Sequence, residues 1–355
     1  MTNREEKIEA RSEVLRDWRG WKGRSGPYLI AEIGGNHEGD FSSALELTRL
    51  ACNSGVDAVK YQIYTGDSLV SRVESPDRHQ HFQRFELTRD QYSLLAKECH
   101  ERGVTFCASV WDPSAIEWVD PFLMFYKIGS GDLTAYPLLD RIAATGKPIV
   151  VSTGLATLKD VAGVVERLQD RDVRYENPEY LALLQCTSMY PIPPEDANLR
   201  VMDVFRQDFS ATVGYSDHTV GMEALEVAVA MGAEILEFHF TDQREGRSFR
   251  DHQVSLTPDE VTAMVDKIER ITTLRGGGHK EPADSEIESG HVSSFRRGVY
   301  PVRDLSAGTR LSEEDLTVLR PAHGISACDY DRLVGKKLRR SVKALCPFDW
   351  DDFER

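Results

Sequence analysis

"ATVGYSDHTVGMEALEVAVAMGAEILEFHFT", residues 211–241, holds one complete structural unit. It opens with an apolar run, "ATVGYSD" (211–217), passes through "TVGMEALEVAVAMGA", whose apolar positions fall near a 3.6-residue period, and ends in a second apolar run, "AEILEFHFT" (233–241). Gly232 closes the middle piece in the way glycine commonly closes a helix. Runs that are apolar nearly throughout suit strands buried on both faces, and parallel strands of that kind are joined by helical crossovers. The stretch therefore reads as strand, helix, strand.

The same unit recurs along the chain. Six further apolar runs precede it: "YLIAEIGG" (28–35), "DAVKYQIY" (57–64), "VTFCASVW" (104–111), "FYKIGSGD" (125–132), "PIVVSTGL" (148–155) and "YLALLQCTS" (180–188). Helical spacing lies between them, as in "FSSALELTRLACNSG". Eight strand-then-helix units predict a (β/α)8 TIM barrel over residues 23–275. An open doubly wound sheet also alternates strand and helix, but it gathers its chemistry in one crevice, whereas here polar side chains stand at the end of nearly every run. The glycine-rich, then acidic "RGGGHKEPADSEIESG" suggests a linker over 276–292, and the turn-punctuated remainder, 293–355, reads as a small β-rich domain. Residues 1–22 read as an exposed, charged helical extension.

Composition narrows the function. With 58 acidic against 43 basic residues the formal net charge is −15, which excludes a diffuse nucleic-acid surface and requires any anionic substrate to meet a local positive pocket. No run of about 18 apolar residues occurs, so no membrane span is expected, and the N-terminus lacks the apolar core of a signal peptide. The six cysteines show no CxxC spacing and several sit in apolar runs, as expected of a reduced, cytoplasmic protein.

In a barrel all strand C-termini face one rim, so residues distant in sequence converge there. In chain order these are Glu32, Asn36 and His37; Lys60 and Gln62; Ser109; Lys127, Ser130 and Asp132; Ser152 and Thr153; Gln185, Thr187, Ser188 and Tyr190; Ser216, Asp217 and His218; and His239, Thr241 and Asp242. A lysine buried without a partner is costly, so Lys60 and Lys127 each need an anion. Internal pairs, Lys60 with Glu32 and Lys127 with Asp132, would satisfy each lysine singly. Both lysines together with the surrounding serines favour a bound phosphate or carboxylate. His218 and His239, on adjacent strands and beside carboxylates, suit either hydrogen-bonded structural roles or an open metal site.

The strings "AEIGGNHEGD", "DAVKYQ", "YKIGSGD", "GKPIVVSTGLAT", "CTSMYPIPPEDANL", "GYSDHTVG", "EFHFTD", "DHQVSLTPDE" and "LRPAHGI" together, in order from about residue 27 to about 340, resemble the N-acetylneuraminate (sialic acid) synthase family. The resemblance implies a transferase that condenses phosphoenolpyruvate with N-acetylmannosamine or a related amino-sugar aldehyde, and a small antifreeze-like (SAF) domain at the C-terminus. It implies His218 and His239 as ligands of a divalent metal, Mn2+ in most of the family. It places Lys60, Gln62, Ser109, Lys127, Ser130, Ser152, Ser188 and Ser216 around phosphoenolpyruvate, and Glu32 and Asp251 as the acid–base carboxylates near the reacting carbons. Asp132, Tyr190 and Arg320 fall on the acceptor side, Arg320 within a motif that implies a homodimer with exchanged small domains. In the family chemistry C3 of phosphoenolpyruvate attacks the aldehyde carbon, water adds at C2, and phosphate leaves.

Several positions depart from the family pattern. "GSGDLTA" stands where "GSGExNN" is common, so Thr134 and Ala135 replace amides; "CASVWD" stands for "STPFD"; Phe238 replaces a basic residue; and the tail carries "RRG" for "RRS" and Ala322 for glycine. These changes point to an altered acceptor, such as a 6-deoxy diacetamido hexose leading to a legionaminic-type acid, or another aldehyde. A metal-dependent aldolase or hydrolase on the same barrel would use the histidines without needing both lysines. A non-catalytic antifreeze-like protein would account for the tail only.

Overall fold

The computed structural model describes Trp18 and residues 20–354, so most of the expected N-terminal helix, residues 1–17 and 19, lies outside the described residues. The chain divides into two compact units, one ending at Gly276 and the other running on from Gly277.

The first unit is a closed barrel. After a short strand β1 (Lys22–Gly23) come β2 (Gly26–Glu32), β3 (Ala58–Ile63), β4 (Thr105–Val110), β5 (Tyr126–Ile128), β6 (Ile149–Ser152), β7 (Leu181–Cys186), β8 (Thr212–Asp217) and β9 (Ile235–His239). β2 to β9 are hydrogen-bonded in sequence order and all parallel, and β2 also pairs with β9, which closes the ring. Some of the helices between them begin on side-chain caps that satisfy orphan N–H groups: Thr88 and Thr157 each form a capping box with the residue three places on.

Successive strand residues point to opposite faces, and this parity sorts the barrel's contents. Ala31, Tyr61, Ala108, Tyr215, Leu236 and Phe238 belong to the apolar layer shared with the helices. Ile30, Ala58, Cys107, Val150, Leu184 and Ile235 fill the lower interior. One inward position further along every strand but β7, which carries Cys186 there, the interior turns polar: Glu32, Lys60, Ser109, Lys127, Ser152, Ser216 and Glu237 are all buried. The apolar floor holds this charged layer at the C-terminal end of the strands.

The opposite end is stoppered by aromatics. Trp21, expected on an exposed helix, is instead buried: its ring meets Phe125 edge-on at 5.2 Å, and its indole N–H donates to the Pro178 carbonyl at 3.1 Å. Lys22 is likewise in a strand, antiparallel to the start of β2, because the apolar area of the indole outweighs the charged character of its neighbours in sequence. An additional helix, Pro76–Phe85, was not anticipated between β3 and β4.

In the second unit β10 (Gly298–Pro301) pairs antiparallel with β11 (Leu316–Leu319) over a small core that includes Val299, Leu311, Leu338 and Phe348. The stretch read as a linker carries two short helices, Asp284–Glu288 and His291–Ser294.

Candidate active site

The buried charged layer is continuous. Lys60 Nζ lies 2.9 Å from Glu32 Oε2 and 4.0 Å from Glu237 Oε1. Lys127 Nζ lies 3.4 Å from the same Glu237 oxygen and donates to Ser152 Oγ at 2.7 Å. Ser216 Oγ donates to Glu237 at 3.1 Å, Gln62 Nε2 to Glu32 at 2.6 Å, and Lys60 to Ser109 Oγ at 3.4 Å. The expected pairing of Lys60 with Glu32 is present, but the partner of Lys127 is Glu237, not Asp132. Glu237 lies inside the apolar run, between Leu236 and Phe238, and not at its end; counting "AEILEFHFT" in twos places it on the inward face with His239.

The charges settle as two cations around one firm anion. Burial disfavours ionisation of Glu237, yet Lys127 and Lys60 hold its carboxyl down to about 2. Lys60 keeps its proton against burial because Glu237 and Glu32 both face it, while burial draws Lys127 below the ordinary lysine value. Burial raises the Glu32 carboxyl, with Lys60 opposing and Glu237 adding to the rise. A raised carboxyl beside fixed cations suits proton transfer.

Next to this layer Ser130 and Ser188 meet at Gly154. Ser130 Oγ accepts the Gly154 N–H at 3.0 Å, and a methyl group at Gly154 would come within 2.4 Å of Ser188 Oγ and 2.8 Å of Ser130 Oγ. Two hydroxyls thus flank Gly154, donors suited to a phosphoryl group.

The histidines form a second group. The His218 and His239 rings are 5.2 Å apart, and Tyr190 lies against both, at 4.0 and 5.7 Å. His218 Nδ1 is 2.9 Å from the Thr187 carbonyl, which assigns the proton to Nδ1 and leaves Nε2 a free lone pair. His239 Nδ1 is buried without a hydrogen-bond partner, with Asp251 Oδ2 at 3.8 Å. Burial pushes both imidazoles down to about 3, so both are neutral at neutral pH, the form that binds metals. Among the described residues no group of three or more His, Cys, Asp or Glu is gathered as a metal cage. Two neutral imidazoles, one of them with an orphaned ring nitrogen, fit an open metal site that would need further ligands from outside this pair. Asp251, raised by burial against the pull of Arg250, lies at its edge. The Arg250 guanidinium stacks 4.6 Å over Tyr190 and reaches Asp251 Oδ1 at 3.1 Å.

Asp132 sits in the turn after β5, where burial pushes its carboxyl up to about 6. Arg320 belongs to the second unit, directly after β11, with its guanidinium 5.8 Å over the Phe295 ring. An open cavity of about 640 Å³, against Trp21, Pro178 and Arg275, lies at the stoppered end and holds none of these groups.

Fold and site together define an anion-handling (β/α)8 enzyme scaffold with a paired-histidine centre. Residues 47–280 match the NeuB family and residues 296–354 match the SAF domain. The chain belongs to the NeuB family. It is 33% identical over 342 residues to the N,N'-diacetyllegionaminic acid synthase of Legionella pneumophila, covering 92% of this chain and 94% of that protein. It is also 33% identical to the human N-acetylneuraminate-9-phosphate synthase, with 91% and 92% covered. Among solved structures, the N-acetylneuraminic acid synthetase of Leptospira borgpetersenii superposes with a TM-score of 0.68 at 28% identity, over 76% of this chain and 92% of that one.

Proposed function

We infer that this chain condenses phosphoenolpyruvate with an N-acylated amino-sugar aldehyde, giving a nonulosonic acid and inorganic phosphate. The observation that carries the reading is the pair of buried lysines, Lys60 and Lys127, gathered around Glu237 at the same strand ends as the Ser130–Ser188–Gly154 cradle and the two neutral histidines. Phosphoenolpyruvate needs concentrated positive charge in a chain that is acidic overall, and this is where the barrel supplies it. The names of the relatives support the same class of product.

Each residue then has a task. The cradle and Lys127 hold the phosphoryl oxygens, and Lys60 balances the carboxylate. Gln62 fixes the rotamer of Glu32, which manages the proton of the water that adds at C2 or of the new hydroxyl. Asp251 stands by for the other transfer. Tyr190 packs over the histidines and excludes water from their ring faces. A divalent ion held by His218 and His239 would polarise the aldehyde oxygen. In the bond changes, C3 of phosphoenolpyruvate joins the aldehyde carbon, water oxygen joins C2, and the C2–O bond to phosphate breaks. Manganese as the metal, a homodimer with exchanged small domains, and a cytoplasmic location belong to this proposal. Among the described residues no helix is long and apolar enough to cross a membrane.

The test is phosphate release from phosphoenolpyruvate with Mn2+ across N-acetylmannosamine, its 6-phosphate and a 6-deoxy diacetamido hexose. Release that requires both metal and one of these sugars is expected. Release without any aldehyde, or none at all, refutes the reading.

A further inference from the structure

Gly129 follows β5 with φ −70° and ψ 155°, a backbone conformation open to any residue. A methyl group there would meet only ordinary contacts, the nearest being Asp132 Oδ2 at 3.6 Å, Trp111 Nε1 at 3.7 Å and Ser109 Oγ at 4.0 Å. Neither strain nor crowding calls for glycine at this position. What glycine leaves is room, and three polar atoms face that room.

They are of complementary kinds: an N–H donor, a carboxylate acceptor and a hydroxyl that is both. The Trp111 indole N–H is buried and has no hydrogen-bond partner, a costly state for a donor. Its ring is fixed by stacking on Tyr64 at 5.3 Å and by Phe82 edge-on at 6.3 Å, so the N–H cannot readily turn elsewhere. Phosphoenolpyruvate offers acceptors only and would be repelled by Asp132. A carbonyl oxygen would satisfy the indole and leave the carboxylate unpaired. A hydroxyl satisfies both.

We propose that Trp111 and Asp132 together bind one hydroxyl of the acceptor aldose, the indole N–H donating to its oxygen and the Asp132 carboxylate accepting its proton. This rests on the condensation inferred above and narrows its acceptor to a polyol that carries a hydroxyl at that place. It gives the tryptophan in "CASVWD" a recognition role that a phenylalanine could not fill.

Two variants and one spectroscopic measurement test it. Trp111→Phe keeps a ring for Tyr64 and Phe82 but removes the donor; Gly129→Ala fills the room without forcing the backbone. In phosphate-release kinetics each is expected to raise the acceptor KM by about tenfold, the worth of one buried hydrogen bond, and to leave the phosphoenolpyruvate KM unchanged. In a series of monodeoxy N-acetylmannosamines, one member should show the same KM with Trp111→Phe as with the parent enzyme. In 15N-tryptophan-labelled protein the Trp111 indole resonance, identified by its loss in Trp111→Phe, should shift when N-acetylmannosamine is added. Unchanged acceptor KM in both variants of an active enzyme, or parallel losses for every deoxy sugar, overturns the proposal and leaves the condensation standing. If no aldose supports phosphate release, the condensation reading fails, and the indole resonance alone decides: a shift with the sugar supports the hydroxyl site, and an unmoved resonance overturns it.

Discussion

Replacing Glu237 by glutamine keeps the shape of the side chain and removes the anion that two buried lysines share. Lys60 retains Glu32 at 2.9 Å, so the loss falls on Lys127, left with Ser152 Oγ at 2.7 Å and the Ile128 carbonyl at 3.3 Å. Breaking a buried pair by removing one partner typically costs about 3–5 kcal/mol. A ceiling follows from the lysine itself, which escapes the penalty by shedding its proton. At about pH 7 that costs roughly 5 kcal/mol, the distance from an ordinary lysine pKa of about 10.4 at about 1.36 kcal/mol per unit. At about 2–4 °C per kcal/mol for a unit of this size, the melting temperature of Glu237→Gln should fall by roughly 10 °C. The sign of the pH dependence is fixed as well. Where Lys127 is neutral in the folded variant, the unfolded chain binds one more proton, so the variant's stability rises with pH and its deficit narrows towards about pH 9.5. Phosphoenolpyruvate, by supplying negative charge to the same lysine, should stabilise the variant more than the parent. Differential scanning fluorimetry at the two pH values, with and without phosphoenolpyruvate, makes the measurement. A loss under about 2 °C, or a deficit that does not change with pH, would refute the assignment of Glu237 as the shared counterion.

Further tests address the rest of the site. His218→Ala and His239→Ala should each abolish phosphate release while circular dichroism stays unchanged, and both should lose bound Mn2+ in metal analysis. Chelation of the parent enzyme should remove activity that added Mn2+ restores. Gly154→Ala places a methyl group 2.4 Å from Ser188 Oγ and 3.1 Å from its amide, so the KM for phosphoenolpyruvate should rise at least tenfold, about 1.4 kcal/mol, with little change for the acceptor. Because Asp132 has its pKa pushed up to about 6, its carboxylate is present above that pH and lost below it; the acceptor KM should rise as pH falls through about 6, and the rise should be absent in Asp132→Asn.

The barrel was readable because parallel strands buried on both faces leave nearly continuous apolar runs, and the eight runs correspond to β2 to β9. Residues at the ends of those runs, Glu32, Lys60, Lys127, His218 and His239 among them, stood out as candidates because a buried polar or charged group needs a partner, and the fold brings them to one end of the barrel. Glu237 was hidden by its apolar neighbours Leu236 and Phe238, which face the helices while it faces inward. Trp111 stood out only within "CASVWD", one of the departures on the acceptor side, since sequence does not show whether an indole N–H has found a partner. Trp21 was obscured by the charged residues around it. In each case the missing information was which way a side chain points and what it meets there.

The two halves of the site differ in how freely they can change. Lys60, Lys127, Glu32, Glu237, Ser152 and Ser216 are joined in one chain of contacts, so altering any member strands a buried charge in its neighbour. Thr134 and Ala135 lie on a turn, exposed or half-buried, and their replacement strands nothing. Changes can therefore collect there and be answered elsewhere on the same rim, as the proposed indole donor at 111 would answer the amide donors that the family pattern places at 134 and 135. If the proposed roles hold, the condensation chemistry would rest on the interior layer and the choice of sugar on the ends of β4 and β5, where a substitution would alter what is recognised without stranding a charge in the barrel interior.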